Sequence, residues 1–131
     1  MKNEDFVHLH VHNEYSFLDG FGTAEKYAKR CRELGFKHIA LTNHGNIDGC
    51  IKWQQKLFDK TEDGEEKVHA IAGCEGYIVP DLYVKNKGEH RYHINLLVKN
   101  DTGWKNLKKN TAITAVPRLS AWRRAPRRPR C

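Results

Sequence analysis

The sequence has no apolar run close to the roughly 20 residues that a membrane-spanning helix requires. No apolar leader precedes Phe6 either, because the first residues of the chain read MKNED. The four cysteines (Cys31, Cys50, Cys74 and Cys131) are widely spaced and form no Cys-x-x-Cys pair. These absences predict a reduced, cytoplasmic protein with no membrane-spanning segment.

Acidic residues are absent after Asp101, and this absence produces most of the chain's basic balance. The whole sequence carries 23 Lys and Arg against 16 Asp and Glu, a formal charge of +7. Six arginines follow residue 112, so residues 1–112 carry 17 basic and 16 acidic groups, a net charge of +1. Residues 113–131 also contain three prolines and no sustained periodicity, which predicts a disordered tail. A shifted reading frame or a truncated gene product explains this composition, and an arginine-rich nucleic-acid arm is the functional alternative.

Three histidines alternate with apolar residues in the segment FVHLHVHNEYSFLDG, residues 6–20. Alternate side chains of a β-strand point to one face, so His8, His10 and His12 are predicted to line the same side. Because imidazole is the commonest metal ligand, this pattern suits a metal site. The alternative is a half-buried strand whose polar face happens to be histidine.

Strands and helices are predicted to alternate along a single domain. The predicted strands lie in the histidine segment and at 38–42, 68–73 (flowing into residues 74–79) and 93–98. The predicted helices lie at 24–34, 47–58 and through Trp104 and Leu107. Thr23 is the predicted N-cap of the first helix and Gly35 its C′ residue. On the second helix, Ile47, Ile51 and Phe58 are predicted to face inward. Such alternation is typical of parallel βαβ units in an α/β sheet or barrel, although four strands do not close a barrel.

Candidate ligands follow the carboxyl ends of the predicted strands, where the chemistry of α/β proteins collects. His10 and His12 end the first strand, His44 follows the second, and Glu75 follows the third. Asp19 lies in the loop after the first strand and can fold back over the same end. Each has a structural alternative, since His44 can cap a helix, Glu75 can be solvated and Asp19 can be a turn residue. Their shared location favours a common site.

His93 opens a predicted strand, so its position does not mark it as a ligand by this reasoning. A resemblance to a known family marks His93 as a ligand. The segments FVHLHVHNEYSFLDG, ALTNHGNIDG, AIAGCEGYIV and HINLLVKNDTGWKNL resemble the N-terminal polymerase and histidinol phosphatase (PHP) domain of the bacterial replicative DNA polymerase III alpha subunit. The resemblance covers about residues 5–110. It implies a distorted α/β barrel with a cluster of metal ions at one mouth, which in some members acts as a proofreading 3′–5′ exonuclease.

The resemblance implies a ligand set for divalent ions, usually zinc, with manganese or iron as alternatives that the sequence does not distinguish. The implied metal ligands are His10, His12, Asp19, His44, Glu75 and His93. His8, His38, His69 and His90 have no ligand position in the family pattern. Asn43 stands where the family commonly has Asp, and loss of that outer-shell carboxylate predicts metal affinity weaker by about 10-fold to 100-fold. The family's later ligands have no counterpart here, so we expect an incomplete cluster with little exonuclease activity in this chain alone.

Residues 1–112 are therefore expected to form the N-terminal part of a PHP domain, with about four βα units of a distorted barrel, followed by the tail 113–131. The resemblance implies metal-dependent phosphoester hydrolysis in DNA replication, with DNA and other replicase subunits, such as a proofreading subunit, as partners. One alternative is a free-standing PHP phosphatase acting on a small phosphate ester. Another is a non-catalytic scaffold or binding module.

Overall fold

A computed structural model of the chain describes residue 2 and residues 5–58, 67–78 and 92–123, with side chains in the last range through residue 112. The elements are α1 (Ala24–Leu34), β1 (His38–Leu41), α2 (Cys50–Phe58), β2 (His69–Ile78), β3 (Tyr92–Leu97) and α3 (Asp101–Arg123). Helices and strands of one small α/β unit are thus present, as predicted. Among the described residues, no helix has the length and apolar character that crossing a bilayer requires.

The strands form one sheet in the order β1-β2-β3. β1 and β2 are parallel, with Leu41 opposite Ala72, whereas β2 and β3 are antiparallel, with Tyr77 opposite His93. The prediction that all strands are parallel is therefore wrong at β3. A parallel connection needs a crossover, usually a helix, and the polar sequence between β2 and β3 has no helical periodicity. The described part of the chain contains three strands in this sheet, and the four-unit barrel remains a prediction.

The histidine segment runs beside β1 without forming a regular strand. It makes one isolated parallel bridge, between His8 and Ile39. The amide of Ala40 donates to the carbonyl of His8 at 2.8 Å, and the amide of Thr42 donates to the carbonyl of Val11 at 2.8 Å. Between these two hydrogen bonds, the histidine segment advances by three residues while the segment of β1 and Thr42 advances by two. One extra residue on one side of a strand pair is the irregularity of a β-bulge. Because a bulge changes which way side chains point, the predicted common face of His8, His10 and His12 does not form.

Helix α1 confirms the local signals read from the sequence. The Thr23 side chain accepts a hydrogen bond from the Lys26 amide at 3.3 Å, as an N-cap does. Gly35 ends the helix in the left-handed conformation, with φ of 75°. Ala28 and Cys31 are buried on the inner face.

Helix α2 begins at Cys50, later than predicted, and its buried face differs from the predicted one. Cys50, Trp53 and Leu57 are buried at helical spacing. Ile51 and Phe58, predicted to face inward, are 68% and 52% exposed. They lie one position after Cys50 and Leu57, and a step of one residue turns a side chain by about 100° around the helix.

The core lies between α1, α2 and the sheet, which places the metal-ligand candidates at one end of the strands. Its largest buried side chains include Leu41, Trp53, Leu57 and Val68. Helix α3 contributes Leu107, which is buried, and then continues through Arg123. The backbone of residues 113–123 continues helix α3, and the predicted disorder of the tail 113–131 stays a prediction. Residues 124–131 lie outside the described residues.

Candidate metal centre

Glu75 is the central residue of the candidate site. Its side chain is only 3% exposed, and each carboxylate oxygen faces two imidazoles. Oε1 lies 3.3 Å from His10 Nε2 and 2.9 Å from His93 Nδ1. Oε2 lies 3.2 Å from His12 Nε2 and 3.0 Å from His44 Nδ1. The structure therefore brings four of the six predicted ligands around a fifth, the buried Glu75 carboxylate.

Backbone pairing between the loop after β1 and strand β2 positions His44 against Glu75. The Glu75 amide donates to the carbonyl of Asn43 at 3.1 Å, and the Gly45 amide donates to the carbonyl of Glu75 at 2.7 Å. His44 and Glu75 form a parallel bridge in which the loop continues the β1–β2 pairing beyond the end of β1. His44 follows β1 as predicted, whereas Glu75 lies within β2, which continues to Ile78, and not after the strand as predicted. Both residues lie beyond the parallel β1–β2 pairing, which ends at Leu41 and Ala72.

Asp19, the sixth predicted ligand, lies on the outer side of His12. Its Oδ2 is 2.8 Å from His12 Nδ1 and 3.7 Å from His44 Nδ1, and its side chain is 49% exposed. With a proton on Nδ1, His12 donates to Asp19, and its Nε2 carries a lone pair that can bind a cation. His10 Nε2 lies 3.0 Å from His12 Nε2. Asp19 is thus placed to orient a ligand, and its carboxylate also lines the cavity.

Ser16 is a site residue that the sequence reasoning did not identify. It is 0% exposed, and its Oγ lies 2.7 Å from His12 Nδ1. The same Oγ accepts a hydrogen bond from the His44 amide at 3.0 Å. This hydroxyl therefore joins the histidine segment to the loop after β1. The available signal was its place between His12 and Asp19, since neighbours of ligands commonly hold them in position.

Asn43 is fully buried beneath the site and pairs with other polar groups. Its Nδ2 donates to Asn13 Oδ1 at 2.8 Å and to the Asp48 carbonyl at 3.0 Å. Its Oδ1 accepts from the Asn13 amide at 3.0 Å. None of the hydrogen bonds described for Asn43 goes to the His44 ring, so its role here is to fix the loops on which the ligands stand.

The other histidines of the described ranges lie elsewhere. The His8 ring packs edge-on against Phe6 and Phe36. His38 and His69 are stacked at the start of β1 and β2, the end of the parallel strands opposite to Glu75. His90 lies outside the described residues.

The donor atoms form two groups that share one carboxylate. His10, His12 and Glu75 make one group, and His44, Glu75 and His93 make the other, with the ligand atoms of each group within 4.8 Å of one another. Imidazole nitrogens and carboxylate oxygens suit zinc, manganese or iron. Burial raises the pKa of the Cys74 thiol, and Cys74 belongs to neither donor group. The residues present therefore fit divalent ions, which the two groups of donors would hold.

The cavity above these groups has a volume of about 600 Å³. It is lined by the six predicted ligands together with Phe17 and Leu18, and by no other described residue. Side-chain exposures of 53% for His10 and 52% for His93 show that the donor groups open towards this cavity. A phosphate ester entering the cavity would meet the donor atoms directly.

Comparison with known proteins places the chain in a family. The model of the PHP domain family matches residues 8–127. DNA polymerase III subunit alpha of Treponema pallidum is 37% identical over 111 residues, which cover 82% of this chain and 9% of that protein. The protein of the same name from Helicobacter pylori (strain 26695) is 39% identical, and the match covers 81% of this chain and 8% of that protein. The one from Aquifex aeolicus is 31% identical, and the match covers 85% of this chain and 10% of that protein. The chain therefore spans about a tenth of the length of these relatives. Because the family model matches nearly the whole sequence, the chain belongs to the PHP domain family.

Proposed function

We propose that the chain supplies the histidine and carboxylate ligands of a metal-dependent phosphodiesterase site in the PHP domain of a replicative DNA polymerase. The observation that carries this proposal is the Glu75 carboxylate, buried at 3% exposure with two imidazoles on each oxygen. A buried carboxylate is costly unless it is paired with positive charge, which neutral imidazoles do not supply and bound cations would. Four imidazoles around it are better explained as ligands that share a bridging group.

Each residue of the site has a defined part in this chemistry. Divalent ions, when bound, supply Lewis-acid activation of a phosphoester and of the attacking water. Glu75 provides a negative charge common to both donor groups, which favours two cations close together. Asp19 and Ser16 hold the His12 ring so that Nε2 faces the donor cluster. His10 and His93 stand at the exposed edges of the cluster, where a substrate approaches.

DNA is the proposed substrate, with hydrolysis at a 3′ end. The relatives are DNA polymerase III alpha subunits, and the cavity is open enough to admit a strand end. In the complete polymerase, the domain would also adjoin other replicase subunits, such as a proofreading subunit. Zinc is the proposed ion, with manganese and iron as the alternatives that the same donor set accommodates.

Elemental analysis of the purified chain tests the metal centre. His12→Ala and Glu75→Ala should each reduce bound zinc or manganese sharply, because each removes a donor from the cluster. His69→Ala is the matched control, since its ring lies at the opposite end of the parallel strands. Equal losses in all three variants, or no metal in the parent chain, would refute the assignment.

Turnover assays with two substrates test the phosphodiesterase proposal. The metal-loaded chain is given a 3′-labelled oligonucleotide and, separately, p-nitrophenyl phosphate as a small monoester. We expect slow release of 3′ nucleotides that disappears in Glu75→Ala, because the family pattern implies ligands beyond those of this chain. Turnover confined to the monoester would instead favour the small-ester phosphatase.

A further inference from the structure

Phe17 and Leu18 line the cavity beside the metal ligands but take no part in the chemistry described above. They are 86% and 93% exposed, respectively, so two adjacent large apolar side chains are left uncovered beside the donor groups. Both stand between two residues that touch a ligand, since Ser16 and Asp19 each contact His12. The contacts of Ser16 and Asp19 with His12 therefore fix the position of this part of the loop relative to the donor groups.

The loop that carries these side chains is held rigidly from beneath. The Ser16 amide donates to the Asn13 carbonyl at 2.8 Å, and the amides of Asp19 and Gly20 donate to the Ser16 carbonyl at 3.0 and 2.8 Å. A Cβ on Gly20 would lie 2.0 Å from the Asn13 carbonyl oxygen, so the turn closes too tightly for any side chain there. Leu18 has a φ of 64°, a left-handed conformation that is unfavourable for a branched side chain. Backbone strain of this kind persists where the surroundings enforce it, commonly at functional sites.

We infer that Phe17 is a stacking platform for the unpaired 3′-terminal nucleobase of a DNA strand whose phosphodiester lies at the metal centre. This inference rests on the proposed function. A ligand that fits the whole cavity needs an anionic group for the cations and a flat apolar face for the aromatic ring. A nucleotide carries both, and aromatic side chains bind bases of any sequence through their faces. Leu18 packs at the edge of the same base.

The choice of an unpaired base follows from the geometry of stacking. A base within a duplex is already covered by its neighbours, whereas a frayed or single-stranded 3′ end offers a free face. The hydrogen-bonded loop fixes the backbone that carries Phe17, so covering the ring costs only the conformational entropy of the side chain, and the contact adds to affinity. A small phosphate ester without a ring gains nothing from Phe17, and the platform thus distinguishes strand ends from such esters.

Binding of labelled single strands to the metal-loaded full chain tests this inference. Fluorescence anisotropy compares an oligothymidylate with a second strand that is identical except for an abasic 3′-terminal nucleotide. In the parent chain, the complete strand should bind more tightly, and Phe17→Ala should weaken its binding by about 5-fold to 100-fold. Binding of the abasic strand should be unchanged by Phe17→Ala, and Phe17→Trp should restore the preference for the complete strand.

Phe21 provides the matched control, because it is 92% exposed on the same loop region but does not line the cavity. Phe21→Ala should leave the preference for the complete strand intact, and all variants should retain the parent's metal content. If binding depends on metal but Phe17→Ala behaves like Phe21→Ala, the stacking inference is overturned while the proposed function stands. If a chelator leaves the parent's preference for the complete strand unchanged, the proposed function and the inference both fail.

Discussion

The Ser16 hydroxyl joins two ligand-bearing segments, and its removal should separate effects on metal affinity from effects on the fold. Ser16→Ala deletes the contact at 2.7 Å to His12 Nδ1 and the acceptor of the His44 amide at 3.0 Å. Loss of this part-buried hydrogen bond to the His44 amide should cost about 1 kcal/mol of unfolding free energy. His12 keeps its contact with Asp19, so metal affinity should fall towards the lower end of the about 10-fold to 100-fold range of outer-shell changes.

Two measurements on the same variant check these magnitudes. Urea denaturation of the metal-free chain gives the change in the free energy of unfolding, and zinc titration calorimetry gives the change in affinity. Thr23→Ala is the control, because loss of the α1 N-cap should cost a comparable ~1 kcal/mol without touching a ligand. An unchanged zinc affinity in Ser16→Ala, or an equal loss in Thr23→Ala, would show that the hydroxyl does not position the ligands.

Three further predictions concern the donor groups, the buried thiols and the tail. His10→Ala and His93→Ala should each deplete the metal held by its own donor group while the other group retains its ion, as measured by elemental analysis. Complete loss of metal in either variant would contradict the assignment of two separate groups. Burial raises the pKa of Cys31 and Cys50 from 9.0 to about 11, so their contribution to folding is present below pH 9 and is lost as pH rises towards 11. The free energy of unfolding from urea titrations should fall over that interval, and a flat profile would refute this. Deletion of residues 113–131 should abolish any sequence-independent DNA binding that weakens steeply with salt, and a sequence-selective or salt-insensitive complex would oppose the prediction.

The sequence predicted correctly those helix boundaries that depend on the conformational preference of the residue at the boundary itself. The start and end of α1 follow from Thr23 and Gly35, whose conformational preferences act within one turn of helix. The inner face of α2 was not predicted correctly because apolar residues occupy two adjacent stripes. Trp53 and Ile51 are both apolar, and only packing against α1 and β2 decides that Trp53 is the buried one.

The histidine segment shows where a repeating pattern misleads. Alternation predicted one face for His8, His10 and His12, but the bulge opposite β1 breaks the alternation after His8. Thr42 helps to fix the bulge, because its Oγ1 accepts from the Val11 amide at 3.0 Å and donates to the Val11 carbonyl at 3.3 Å. A side chain from another strand thus decides the register, and spacing within the segment could not reveal it.

The direction of β3 explains why His93 belongs to the site although it opens a strand. In a parallel strand, the first residues lie at the end of the sheet opposite to the ligands, as His38 and His69 do. β3 runs antiparallel to β2, so its first residues lie beside the last residues of β2, and His93 pairs with Tyr77. Tyr77 is two residues beyond Glu75 on the same strand, which brings His93 Nδ1 within 2.9 Å of the Glu75 carboxylate. The rule that ligands gather at one end of the sheet therefore also covers His93, once the strand direction is known.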